Sequence, residues 1–185
     1  MTVVADEGRA TGDAAGGALF ESARRLYIAR QYDDALKAAQ QLLAYEAFVA
    51  RAYSVRALCL TEMWMAAEGL AAAEAAVATD ARDAVAITSR AFCRHRLGDD
   101  AGAEKDYAAA LALAPGDFRV YYNLACYWSE RGDEARCREY LARAVDLVPP
   151  ASGMPLAEDA DLARYHQREW FRELSARAKA KDLRK

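Results

Sequence analysis

The side chains able to do acid–base, nucleophilic or metal chemistry are few and scattered. There are two histidines, His95 and His166, and four cysteines, Cys59, Cys93, Cys126 and Cys137. His95 stands between Arg94 and Arg96, with no acid at the spacing a catalytic triad or a ligand pair would use. A metal site needs more ligands than the sequence around either histidine offers. The cysteines fall inside helical patterns rather than at metal-type spacings. Cys59 and Cys93, 34 residues apart, should occupy equivalent places on neighbouring helices. A disulfide between them would need Cα atoms within about 7 Å, closer than the usual 8–10 Å between packed helix axes. All four are therefore read as free thiols of a reducing compartment. The paired carboxylates Asp33-Asp34 and Asp99-Asp100 sit where helices begin, and capping and dipole effects account for them. No glycine-rich loop could cradle a phosphate. The expectation is a protein that is not an enzyme and holds no metal or cofactor.

Composition narrows the class further. The length of 185 residues suits one domain, and much of the 54% hydrophobic content is alanine. A net charge of −3 gives no electrostatic case for nucleic acid or an anionic membrane. No basic start leads into an apolar core, and no apolar run approaches the roughly 18 residues of a membrane span. These features predict a soluble cytoplasmic protein.

Helical periodicity organises what remains. In the stretch from Phe118 to Pro149, Tyr121, Leu124, Ala125 and Trp128 fall at i, i+3, i+4 and i+7, one face of a helix. Arg131-Gly132-Asp133 punctuates: Gly132 can take the left-handed conformation and Asp133 can cap a second helix. Cys137, Leu141, Ala144 and Val148 make that helix's stripe, and Pro149-Pro150 ends it. Two helices this short are not stable alone and must bury their stripes against other elements.

The rest of the chain supplies copies at a spacing of 34 residues. Small residues recur at Ala23, Ala57, Ala91 and Ala125, and again at Ala35, Gly69, Ala103 and Cys137. Large apolar residues recur at Leu19, Tyr53, Ile87 and Tyr121, and at Leu43, Val77, Leu111 and Val145. The small sites let helices approach closely. A helix-turn-helix unit at this period is the signature of tetratricopeptide repeats, and the chain resembles that family over about residues 16–150. The resemblance implies an all-α, right-handed superhelical α-solenoid of four repeats (16–49, 50–83, 84–117 and 118–151). A flexible tail over 1–15 would precede them, and a C-terminal capping segment with a basic tail, 152–185, would follow. Arg30 and Trp64 stand where the turn glycine belongs, and an irregular turn is expected at Glu62-Met63-Trp64.

Two further features depart from simple repetition. Arg56 and Arg90 recur at one repeat position, in YSVRA and ITSRA, which resemble the opening of many such repeats. Each is read as a structural arginine bonding an acid or a carbonyl, with a ligand contact as the alternative. Arg94 falls at a core position, so it either snorkels out or meets Asp106 or Glu104. After Pro149 comes a loop, then DADLARYHQREWFREL, which resembles the closing segment of bacterial repeat arrays. Helices are predicted near 158–166 and 168–181, with Leu162, Tyr165, Trp170, Phe171 and Leu174 covering the last apolar face. The basic end is read as a solvated helix terminus.

The family resemblance also implies where a ligand would sit. The first helix of each repeat lines the concave side, on which extended peptides or partner helices bind. Carried onto this chain, that geometry selects Phe20, Arg24 and Tyr27 from the first repeat and Arg51, Ser54 and Leu58 from the second. The third contributes Val85, Phe92, His95 and Arg96, and the fourth Arg119, Tyr122 and Cys126. Aromatics interleaved with arginines suit a protein segment carrying acidic and large apolar residues. The carboxylate clamp of chaperone-cofactor arrays is absent in either register of these positions. The function expected is a protein–protein interaction module, an adaptor or scaffold. The alternatives are a small chaperone for secreted or assembling substrates and a regulatory subunit of a neighbouring enzyme. Homo-oligomer formation stays open.

Overall fold

A computed structural model describes the backbone of residues 3–150, 154 and 156–183, with side chains described from residue 13 onward. Among the described residues there is no strand. Eight α-helices form four consecutive pairs: α1 (Val3–Ile28) with α2 (Tyr32–Leu42), α3 (Val49–Glu62) with α4 (Ala66–Thr79), α5 (Ala84–Arg96) with α6 (Asp100–Leu113), and α7 (Phe118–Glu130) with α8 (Glu134–Leu147). Two 3-10 turns, Leu156–Glu158 and Ala160–Tyr165, lead to α9 (Glu169–Asp182). The chain is thus the all-α helical repeat that its periodicity predicts. None of these helices is long and apolar enough to cross a membrane.

The turn within each pair has one geometry. Arg30, Trp64, Gly98 and Gly132 have φ of 58°, 65°, 83° and 76°, all left-handed. In each turn the left-handed residue donates its N–H to the carbonyl three residues back, and its successor donates to the carbonyl five back: Trp64 to Thr61 and Met65 to Leu60, Gly98 to His95 and Asp99 to Arg94. These are the paired bonds of the Schellman motif. The irregular turn expected at Glu62-Met63-Trp64 is therefore corrected. Packing of the helix pair imposes the same backbone on tryptophan as on glycine, although a Cβ makes that conformation cost roughly 1–2 kcal/mol.

Packing follows the small-residue ladder. Ala23, Ala57, Ala91 and Ala125 are all 0% exposed, as are Ala35, Ala103 and Cys137. Gly69, also buried, lies so close to α3 that a Cβ there would meet the Thr61 hydroxyl at 2.1 Å and the Ala57 carbonyl at 2.9 Å. Helix starts are capped by acids. Asp83 accepts from the N–H of Val85 and Ala86, Asp117 from Arg119, and Asp133 from Arg136.

Within the segment read from the sequence as a tail, α1 begins at Val3. The loop expected after Pro149 lies largely outside the described residues.

The chain divides into two compact units, residues 1–110 and 111–185. In unit 1 a core of Phe20, Ala23, Ala39, Leu42, Phe48, Val55 and Cys59 joins α1, α2 and α3. Between α5 and α6, Asp106 accepts from Arg90 Nε at 2.8 Å, Arg90 Nη2 at 2.7 Å and Arg94 Nη1 at 2.8 Å. That resolves Arg94: its core position is filled by an ion cluster. In unit 2, Leu141, Val145 and Val120 are buried together with Leu162, Tyr165, Trp170, Phe171 and Leu174 of the C-terminal segment. The two predicted C-terminal helices are present, the first as a 3-10 turn.

Candidate interaction surface

In unit 1 the first helices α1, α3 and α5 carry ten of the residues selected from the sequence, and the structure sorts them into three groups. The first is buried. Phe20 is 6% exposed and Ser54 1%, and the Ser54 hydroxyl donates to the Ala50 carbonyl at 2.9 Å, so neither offers a surface to a ligand. The second group is engaged locally. Arg24 pairs with Glu21 at 3.0 Å, and Tyr27 packs on Tyr32 with ring centroids 5.9 Å apart. His95 Nδ1 lies 2.7 Å from an Asp100 carboxylate oxygen, an acid five residues on that tethers the imidazole to the start of α6. The half-buried Leu58 and Val85 contribute apolar area between these.

The third group places arginines on aromatic rings. The Arg51 guanidinium sits 5.3 Å from the ring centroids of both Phe20 and Phe48. Arg96 spans Phe92 at 5.7 Å and Trp64 at 5.8 Å. Trp64 is 87% exposed, the most open large apolar side chain among the described residues. Sequence reasoning treated it only as a poor turn residue. The missed signal was a large aromatic at a position whose repeat-mates Gly98 and Gly132 are glycine.

In unit 2 the three selected residues have different surroundings. Arg119 lies over Phe118 and reaches Asp117 at 3.1 Å. The Tyr122 hydroxyl donates to the Asp159 carboxylate. Cys126 is half-buried with its sulfur close to the carboxylates of Asp159 and Asp161, three potential donors within 4.8 Å of one another. Burial first, and the Asp161 charge next, push the Cys126 thiol well above its ordinary range. Asp159 also accepts from the Asp161 N–H at 2.8 Å, as cap of the 3-10 turn. Ser129 Oγ donates to the Asp161 carbonyl at 2.6 Å, and Arg164 donates to the Ser129 carbonyl at 2.6 Å. On α8, Glu134 receives Trp170 Nε1 at 2.9 Å and Arg168 at 3.1 Å. The face of α7 that bears Tyr122 and Cys126 is thus taken up by the chain's own C-terminal segment.

No family model and no curated protein matches the sequence. Among solved structures, the Naa15/Naa10 complex bound to HypK-THB aligns with a TM-score of 0.57 and 22% identity, over 90% of this chain and 24% of that one. The chain therefore spans about a quarter of the length of that relative. PcrH from Pseudomonas aeruginosa aligns at 0.48 and 22% identity, over 72% of this chain and 92% of its own. YrrB, described as a TPR protein with an unusual peptide-binding site, aligns at 0.46 and 18% identity, over 73% and 70%. At such identities the likeness is one of fold.

Proposed function

We propose that this chain, whose architecture is that of tetratricopeptide-repeat proteins, is a non-enzymatic interaction module that binds a segment of another protein on its first-helix face. The observation that carries the reading is the stack of Trp64, Arg96 and Phe92 in unit 1. Trp64 holds a left-handed backbone that costs a residue with a Cβ roughly 1–2 kcal/mol, a strain that marks a functional position. Two rings within about 6 Å of the Arg96 guanidinium help hold it in place, and tryptophan and arginine dominate binding energy at interfaces. The partner this surface fits carries acidic residues next to large apolar ones. Arg51 on its two phenylalanines extends the same pattern along α3.

The test is to recover partners on the immobilised chain, identify them by mass spectrometry and measure affinity by titration calorimetry. Trp64→Gly with Arg96→Glu should lower affinity about tenfold or more while helicity is retained, because glycine suits the left-handed turn. Undiminished affinity in that double variant would place the binding site elsewhere.

A further inference from the structure

A second surface in unit 1 lies between α2 and α3, away from the Trp64 stack. It is a groove of about 240 Å³ whose walls include Leu36 and Leu43 from α2 and Tyr53 and Leu60 from α3, with Gln40 and Arg56 among its polar lining. The four apolar side chains are only half-buried, and Arg56 is exposed.

Comparison with the next repeat gives the groove its meaning. Arg56 and Arg90 occupy one repeat position, but Arg90 is neutralised by Asp106 at 2.7 and 2.8 Å and feels the charge of Glu74 as well. The positions equivalent to these two acids hold Ala72 and Gln40, and Leu60 stands where the third repeat has Arg94. Arg56 therefore lacks both of its repeat-mate's counter-charges and has no hydrogen-bond or ion-pair partner among the described residues. The acids that reach Arg90 from α6 and α4 are thus replaced by uncharged Ala72 on α4 and Gln40 on α2, and the α2–α3 groove is an apolar trough with one uncompensated guanidinium in its lining. A guanidinium fork beside an apolar wall selects a carboxylate held next to a hydrocarbon side chain.

We infer that the α2–α3 groove docks a partner segment presenting a carboxylate to Arg56 and an adjacent leucine, isoleucine or phenylalanine side chain to the trough. This site is independent of the first-helix surface proposed above. A chain with both could hold two segments at once.

The test is to pan a phage-displayed library of random dodecapeptides on the full chain, then measure the enriched peptides by fluorescence anisotropy. Peptides of this site should pair Asp or Glu with a large apolar residue and bind more weakly as salt rises. Arg56→Gln should lower their affinity about tenfold or more, the loss of one charge-assisted contact. Gln40→Glu should weaken them too, by supplying from within the acid that Glu74 supplies to Arg90. Trp64→Gly with Arg96→Glu should leave these peptides unaffected. Circular dichroism of each variant checks that it is folded; Arg56 and Gln40 are exposed, so neither change disturbs the core. The inference is overturned if enriched peptides lack an acid, if no peptide is enriched, or if every enriched peptide binds Arg56→Gln as tightly as the parent. Peptides that respond only to the Trp64/Arg96 variant would support the first-helix site and refute this one.

Discussion

Replacing Asp106 by alanine removes the acceptor on which two arginines converge. The Asp106 side chain is 6% exposed and receives three charge-assisted hydrogen bonds of 2.7–2.8 Å. Breaking a fully buried pair by deleting one partner costs about 3–5 kcal/mol, because the remaining charge is stranded. Here Arg90 and Arg94 are 22% and 25% exposed, so both guanidinium groups can turn toward water once released. Discounted for that solvation, the expected loss is about 2–3 kcal/mol, or some 5–10 °C in Tm for a chain of this size. Asn in place of Asp keeps the shape and part of the bonding, and should cost about half as much. Urea titration followed by circular dichroism and by tryptophan fluorescence is the assay. Trp128 and Trp170 are buried in unit 2, whereas Trp64 of unit 1 is already exposed, so fluorescence follows unit 2 and circular dichroism follows both units. The loss should therefore appear in the circular-dichroism transition more than in the fluorescence one. Exchanging all three residues together, Arg90→Met, Arg94→Met and Asp106→Leu, should recover most of the stability, since apolar packing replaces the ions. An Asp106→Ala variant within about 0.5 kcal/mol of the parent would show the cluster to be a solvated surface pair and would refute the burial argument.

The turns provide a reciprocal pair. Arg30→Gly should stabilise by about 0.5–1 kcal/mol, the relief of left-handed strain less the entropy of an added glycine. Gly98→Ala should destabilise by about 1–2 kcal/mol from backbone strain alone, because a Cβ there meets nothing within 4 Å; melting curves with the same sign for both would refute the assigned geometry. The buried thiols set an alkaline limit. Burial pushes Cys59 and Cys137 up to about 12 and Cys93 up to about 11, from an ordinary 9.0. The folded state thus holds these protons more tightly than the unfolded chain. Their contribution is fully present below about pH 9 and is lost as pH climbs toward 11–12, so the urea midpoint should fall across that window, less steeply in a variant with the three cysteines replaced by alanine.

The repeat period was legible because it is written in residue size. Two helices can touch closely only where side chains are small, so Ala23, Ala57, Ala91 and Ala125 announce the packing before any coordinates exist, and all four are fully buried. The cap at Asp133 was legible for a similar reason, since a cap is settled within three residues. Turn conformation at Arg30 and Trp64 was not, since local preference argues against it and only the docking of each helix pair imposes it. Partner choice was also beyond sequence. Arg56 and Arg90 look alike in the chain, and the difference lies in whether Asp106 and Glu74 or Ala72 and Gln40 are brought beside them. Likewise Tyr122 and Cys126 sit on a helix face that the family resemblance marks as open. The C-terminal segment, more than thirty residues on, folds back over them. Side-chain size belongs to a single residue and a cap to a single helical turn, so the sequence alone determines them; charge neutralisation and the covering of a helix face depend on residues far apart in the chain, and the tertiary structure decides those.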